Sequence, residues 1–239
     1  MRLLTAIPVY NEEASLVGVL TEVLKYARDI LVVDDGSSDR TPALLRDFPT
    51  VRTIRHPRNL GYGAGLRTAF QATIDGGYDG VVTLDCDGQH EPARIPEVAS
   101  HLVEADIVSG SRYLRVFDPS QEPPVERRRI NVEVTRWLNE CLGMNLTDAF
   151  CGFKAYRTSA LRLFDITDEG YAMPLELWVQ AVAHRLKIME VPVPLIYLDE
   201  SRAFGGALDN AEYRLKHYRR VLEKALERAG LLAPEGCLG

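Results

Sequence analysis

Apolar residues gather in short unbroken runs through the amino-terminal half of the chain, at residues 3–7, 30–33, 51–54, 80–84 and 107–109. Unbroken runs of that length are what strands buried on both faces require. Between them the apolar spacing lengthens to that of helices. Over residues 13–27, Leu16, Val19, Leu20, Val23 and Leu24 fall on one stripe, and further helices are predicted over 41–47, 61–75 and 92–103. Strands alternating with helices predict an α/β fold, a mostly parallel Rossmann-like sheet flanked by helices on both faces. Residues 117–129, with three prolines and many charges, read as a mobile loop. Helical spacing returns over 130–142 and again in a basic amphipathic stretch over 210–228. The division expected is a domain over 1–208 followed by a carboxyl-terminal helix and tail over 209–239.

In a sheet of this kind ligands bind beyond the carboxyl ends of the strands, and the polar motifs fall there. Pro8-Val9-Tyr10-Asn11-Glu12 follows the first strand, Asp34-Asp35-Gly36-Ser37-Ser38-Asp39 the second and Asp85-Cys86-Asp87 the fourth. Two carboxylates on one turn repel each other unless a cation is shared between them. Magnesium or manganese prefers oxygen ligands and leaves places for substrate phosphates, which makes Asp85, Asp87 and Gln89 candidate ligands. A turn rich in Asp and Gly satisfies the same spacing through its own backbone hydrogen bonds. Asp35 is placed to accept hydrogen bonds from a ribose or base, and Ser38 or Asp39 to cap a helix near Thr41.

Asn59-Leu60-Gly61-Tyr62-Gly63-Ala64-Gly65 lacks the third glycine and the later acidic residue of a dinucleotide fingerprint, so a tight turn and close helix packing account for it. A lone histidine in a polar loop, His90, more often orients a neighbour than catalyses. Trp137, Trp178 and Tyr171 are expected in the core.

A formal charge of −6 on 239 residues argues against broad nucleic-acid binding, leaving local basic clusters such as Glu126-Arg127-Arg128-Arg129 for any anionic partner. The four cysteines show no CxxC pairing, so neither a zinc site nor a disulfide is expected, and a reducing cytoplasm fits. No segment is long and apolar enough for a membrane span.

Taken in order, Pro8-x-Tyr10-Asn11-Glu12, Asp34-Asp35-Gly36-Ser37, Asn59-x-Gly61-x-Gly63, Asp85-x-Asp87-x-Gln89-His90-x-Pro92, Gly110-Ser111-Arg112-Tyr113 and Asp148-x-x-Cys151-Gly152-Phe153 resemble the family-two inverting glycosyltransferases of GT-A fold. The dolichyl-phosphate mannose synthase branch is the most similar. The resemblance spans roughly residues 1–205. It implies that Pro8, Tyr10, Glu12, Asp35 and Asp85 hold the nucleotide, and that Asp85, Asp87 and Gln89 hold Mg2+ or Mn2+ and the diphosphate. Arg112, Asp148 and Arg202 would stand near the sugar or the acceptor as catalytic residues, with Cys151-Gly152-Phe153 as the wall beneath. The implied reaction moves a sugar from a nucleoside diphosphate sugar to an acceptor, commonly a polyprenyl phosphate. A cytoplasmic protein touching the inner face of the membrane would meet such an acceptor.

One departure stands out: that branch follows its arginine with a Gly-x-Ser-Lys segment, whereas here Arg202 is followed by Gly205-Gly206-Ala207-Leu208. Two other readings share parts of this pattern. A sugar nucleotidyltransferase needs a basic glycine-rich loop where this chain has Tyr10, Asn11, Glu12 and Glu13. A nucleotide-binding module without catalysis would not need Asp85, Asp87 and Arg202 together.

Overall fold

The structure, a computed structural model, describes residues 1–197, 206–234 and 236–238; Arg202 lies outside the described residues. Seven strands form one sheet: β1 (Leu3–Val9), β2 (Asp29–Asp34), β3 (Arg52–Arg55), β4 (Gly80–Thr83), β5 (Ile107–Ser111), β6 (Lys154–Arg157) and β7 (Ile188–Pro192). Their order across the sheet is β3-β2-β1-β4-β6-β5-β7. All neighbours run parallel except β6, which is antiparallel to both β4 and β5.

Alternation along each strand divides the core in two. Leu4, Ala6, Leu31 and Val33 face one layer of helices, made by α3 (Tyr62–Asp75), α5 (Val125–Leu142), α7 (Met173–Ala183) and α8 (Ala211–Arg228). Ile7, Val9, Ile30 and Val32 face the other, where Leu16, Val19 and Leu20 of α1 (Leu16–Val23) and Val98 of α4 (Ile95–Ser100) pack. The short helices α2 (Thr41–Leu44) and α6 (Thr158–Leu161) complete the connections.

The structure adds to the sequence reading at two places and changes it at two others. The strands β6 and β7 escape a search for apolar runs, because Lys154 and Arg157 bracket one and the other is only half-buried. The expected loop over 117–129 ends at Pro124; Val125 opens α5, since proline fixes the entry dihedral and supplies no N–H. The basic amphipathic stretch forms α8, which packs on the domain. Its apolar face, Tyr218, Leu222, Ala225 and Leu226, is buried in the core shared with α5 and α7, each leucine contributing about 1.5–3 kcal/mol. Its exposed face carries acids and bases together. Finally, Cys141 at the end of α5 and Cys237 in the tail form a disulfide, with Cα atoms 5.3 Å apart. Motif spacing could not reveal a pair separated by 96 residues. Among the described residues no helix is long and apolar enough to cross a membrane.

Candidate active site

The loops after β1 and β2 are stapled together by their own polar side chains. Asn11, held at a positive φ of 55°, accepts the Ser38 N–H on Oδ1 and gives its own N–H to Ser37 Oγ. Glu12 N–H reaches Thr41 Oγ1 at 2.8 Å, and Asp39 caps Thr41 N–H at 2.9 Å. Asp35 is buried to 4 % exposure and works inward as well as at the rim. Its carboxylate accepts the N–H groups of Leu60 and Gly61 at 2.9 and 2.8 Å and meets His56 Nδ1 at 2.6 Å. The second loop thereby fixes the third.

The glycines of that third loop serve packing. A Cβ on Gly61 or Gly63 would stand 2.3 Å from the Glu169 or Asp168 carbonyl oxygen, and Gly63 N–H donates to the Glu169 oxygen at 2.8 Å. The opening N–H groups of α3 are thus capped by backbone from the 168–170 turn. Tyr62, between the glycines, stacks on Tyr171 with centroids 5.6 Å apart and gives its hydroxyl to Asp85 Oδ1 at 3.1 Å. Tyr171, expected in the core, is 39 % exposed, because one face meets Tyr62 and the other opens to the cleft.

Beyond β4, Asp85 N–H donates to His90 Nδ1 at 3.0 Å, so this histidine orients the carboxylate loop, its ring lying against Phe153. Asp87 Oδ1 accepts the Gln89 N–H at 3.0 Å. Burial raises the Asp85 pKa, His90 opposes that rise and Asp87 adds to it. No three His, Cys, Asp or Glu side chains form a metal cage among the described residues. Asp85 and Asp87 fit instead an ion that takes its remaining oxygens from water and a diphosphate.

Arg112 and Asp148 form a bidentate pair, Nε to Oδ2 at 2.7 Å and Nη2 to Oδ1 at 2.9 Å. Asn131 Nδ2 adds a third bond at 2.8 Å, and Glu190 grips the N–H groups of Thr147 and Asp148 from behind. Burial alone would raise the Asp148 pKa, but the Arg112 charge and these bonds outweigh it and hold the carboxyl well below its usual range.

These elements enclose a cleft of about 510 Å³. Of the residues singled out in the sequence, Pro8, Tyr10, Glu12, Asp35, Asp85, Asp87, Gln89 and Arg112 line it, whereas Asp148 stands behind Arg112. The far end is lined by side chains that sequence reasoning did not single out for the site: Tyr113, Asn131, Phe150, Tyr197, Arg214 and Tyr218. Arg127 joins them from the basic cluster that opens α5. That cluster, the tyrosine beside Arg112 and the basic stretch that holds Arg214 carried a sequence signal.

The sheet thus brings paired carboxylates at one strand end and polar loops to the same cleft. The profile of Glycosyl transferase family 2 matches residues 5–164. The chain belongs to that family and is a glycosyltransferase. It is 33% identical over 224 residues to an undecaprenyl-phosphate mannosyltransferase of Micrococcus luteus, covering 88% of this chain and 91% of that one. It is 30% identical to a polyprenol monophosphomannose synthase of Mycolicibacterium smegmatis, covering 91% and 86%. In fold it resembles glucosyl-3-phosphoglycerate synthase of Mycobacterium tuberculosis in complex with Mn2+, UDP and phosphoglyceric acid, with a TM-score of 0.69 at 20% identity over 98% of this chain and 80% of that one.

Proposed function

We propose that this chain transfers a hexose, mannose by the names of its relatives, from a nucleoside diphosphate sugar to a polyprenyl phosphate with inversion. The observation that carries the acceptor class is the chemistry of the cleft's far end. A hydroxyl acceptor needs a base to take its proton. Among the described lining residues that end has arginines and no carboxylate. Asp148, the carboxylate behind Arg112, is fully buried, bidentately held and a weak base at its depressed pKa. A phosphate acceptor arrives already anionic and needs no such group.

In this reading Pro8, Tyr10, Glu12 and Asp35 flank the nucleoside, and Asp85, Asp87 and Gln89 hold a divalent cation against the diphosphate. The cation, Mg2+ or Mn2+, would neutralise charge on the departing diphosphate. Tyr62 holds the Asp85 carboxylate, and His90 accepts the Asp85 backbone N–H. Arg112, oriented by Asp148, faces the reacting groups; Arg202, outside the described residues, is assigned the same task by sequence alone. An acceptor phosphate oxygen attacks the anomeric carbon as the bond to the diphosphate oxygen breaks on the opposite face, and no proton moves. A lipid-borne acceptor implies peripheral contact with a membrane.

The test is transfer from GDP-mannose and UDP-glucose to farnesyl phosphate, with Mn2+ or with EDTA. Metal-dependent formation of an inverted farnesyl phosphosugar is expected. Donor-only thermal stabilisation without transfer to any phosphate would sink the acceptor assignment.

A further inference from the structure

Glu176 is a buried carboxylate in the first turn of α7, 5 % exposed, and no step of the transfer uses it. It turns back toward the chain just before its own helix. Oε2 accepts the N–H groups of Thr167 and Asp168 at 2.6 and 2.8 Å, and Oε1 accepts the Thr167 hydroxyl at 2.6 Å. From α8, Arg228 gives one N–H to Oε1 at 3.2 Å and another to Asp165 at 2.8 Å. Burying a carboxylate is costly unless donors surround it, and one so surrounded is held in a single geometry.

The segment it clamps runs straight into the turn that seats α3. Asp168 Oδ1 accepts the Gly170 N–H at 2.9 Å, and the Glu169 carbonyl accepts the N–H groups of Gly63 and Ala64 at 2.8 and 3.3 Å. With Gly61 and Gly63 pressed on that backbone, no slack separates the turn from the helix. Tyr171, next along the turn, stacks on Tyr62 with 18° between the ring planes. Tyr62 ends the series with its hydroxyl on Asp85 Oδ1 at 3.1 Å, the long limit for a hydroxyl donor, so a small shift of the turn weakens that bond.

We infer that Glu176 is a positioning residue for the Asp85 carboxylate, acting through the 167–171 turn and Tyr62, so that α7 sets the geometry at the donor end of the cleft. This rests on the reading of Asp85 as a ligand of the divalent cation. Glu176 does not line the cleft, and its effect reaches the cation only through the backbone of the turn and the two rings.

The experiment uses the full chain and measures Mn2+ affinity with UDP or GDP at saturation, by electron paramagnetic resonance of the free ion, well below every melting point. The variants are Glu176→Gln, Tyr62→Phe, the two combined, and Asp85→Asn. Val98→Ala, in the core layer on the other side of the sheet, is the destabilised control. Glu176→Gln and Tyr62→Phe are each expected to weaken Mn2+ about tenfold, and the combined variant no more than Tyr62→Phe alone, since both changes act on one bond. Val98→Ala should lower the melting temperature and keep the wild-type Mn2+ affinity. If Glu176→Gln does not fold, Thr167→Val, which removes one of its bonds, takes its place singly and with Tyr62→Phe. Wild-type Mn2+ affinity in the folded single variant, or a loss that adds in full to that of Tyr62→Phe, overturns the inference while the metal reading stands. Absence of Mn2+ binding by the wild type, or wild-type affinity in Asp85→Asn, overturns the metal reading and the inference with it.

Discussion

Gly152 and Asp85 occupy each other's space: a Cβ on Gly152 would lie 2.3 Å from Asp85 Oδ2 and 2.7 Å from Oδ1. The carboxylate therefore rests on bare backbone, and the Cys151-Gly152-Phe153 motif is coupled to the Asp85-x-Asp87 motif by packing. The glycine is needed for room rather than for an unusual dihedral.

Replacing Gly152 by Ala should push the Asp85 carboxylate aside while sparing the fold, because the clash is with the tip of a side chain. The expected outcome is a loss of about 1 kcal/mol or less in stability with metal affinity down roughly 10- to 100-fold. Titrating Mn2+ against the melting shift given by GDP or UDP measures it. A folded variant with wild-type Mn2+ dependence would remove Asp85 from the metal site.

Asp148→Asn leaves the Arg112 charge without its counter-ion in a buried setting, and should cost about 3–5 kcal/mol. The sign with pH follows from the depressed folded pKa of Asp148. Its contribution is complete above the unfolded value of about 4 and is lost as pH falls below that, toward the folded pKa. Denaturant unfolding from pH 7 down to pH 3 should show a flatter acid limb for the variant than for the wild type; parallel limbs would mean the pair contributes nothing to acid sensitivity.

Two glycines in helices should respond oppositely to alanine. At Gly63 the new Cβ would meet the Asp168 carbonyl oxygen at 2.3 Å, backbone that cannot swing away, so α3 and the 168–170 turn must part. That overpacking should cost about 1–3 kcal/mol and weaken the Tyr62–Tyr171 stack. At Gly18 in α1 nothing lies within 4 Å, so alanine should stabilise by about 0.5–1 kcal/mol. Chemical denaturation midpoints of the two variants test both signs at once.

The parallel half of the fold was legible because β1, β2 and β4 are buried on both faces and contain no charge until their ends, where the loops must be polar. The antiparallel β6 was not, since Lys154 turns its ammonium to the Cys151 carbonyl and over Trp178, a partnership invisible in a linear reading. Asp35, Asp85 and Arg112 were legible as rim residues from motif order. What could not be read was direction: Asp35 binds the 60–61 backbone, and Asp148 turns away from the cleft toward Arg112. The far end of the cleft depends on α8 folding back over α5, a contact between segments some 90 residues apart.

The same fold-back makes the Cys141–Cys237 bond a thermodynamic clamp on the tail. Closing a chain segment of 96 residues restricts the unfolded ensemble, by roughly 4–5 kcal/mol in the loop-entropy account. Reduction should therefore lower the melting temperature by some 8–20 °C at about 2–4 °C per kcal/mol for a chain of this size. Cys141→Ser should match the reduced wild type and be insensitive to reductant. Thiol titration of the denatured, unreduced protein should find only Cys86 and Cys151. Titration of all four, from protein prepared without reductant, would show that the bond does not form, and the melting point would then ignore the reducing agent.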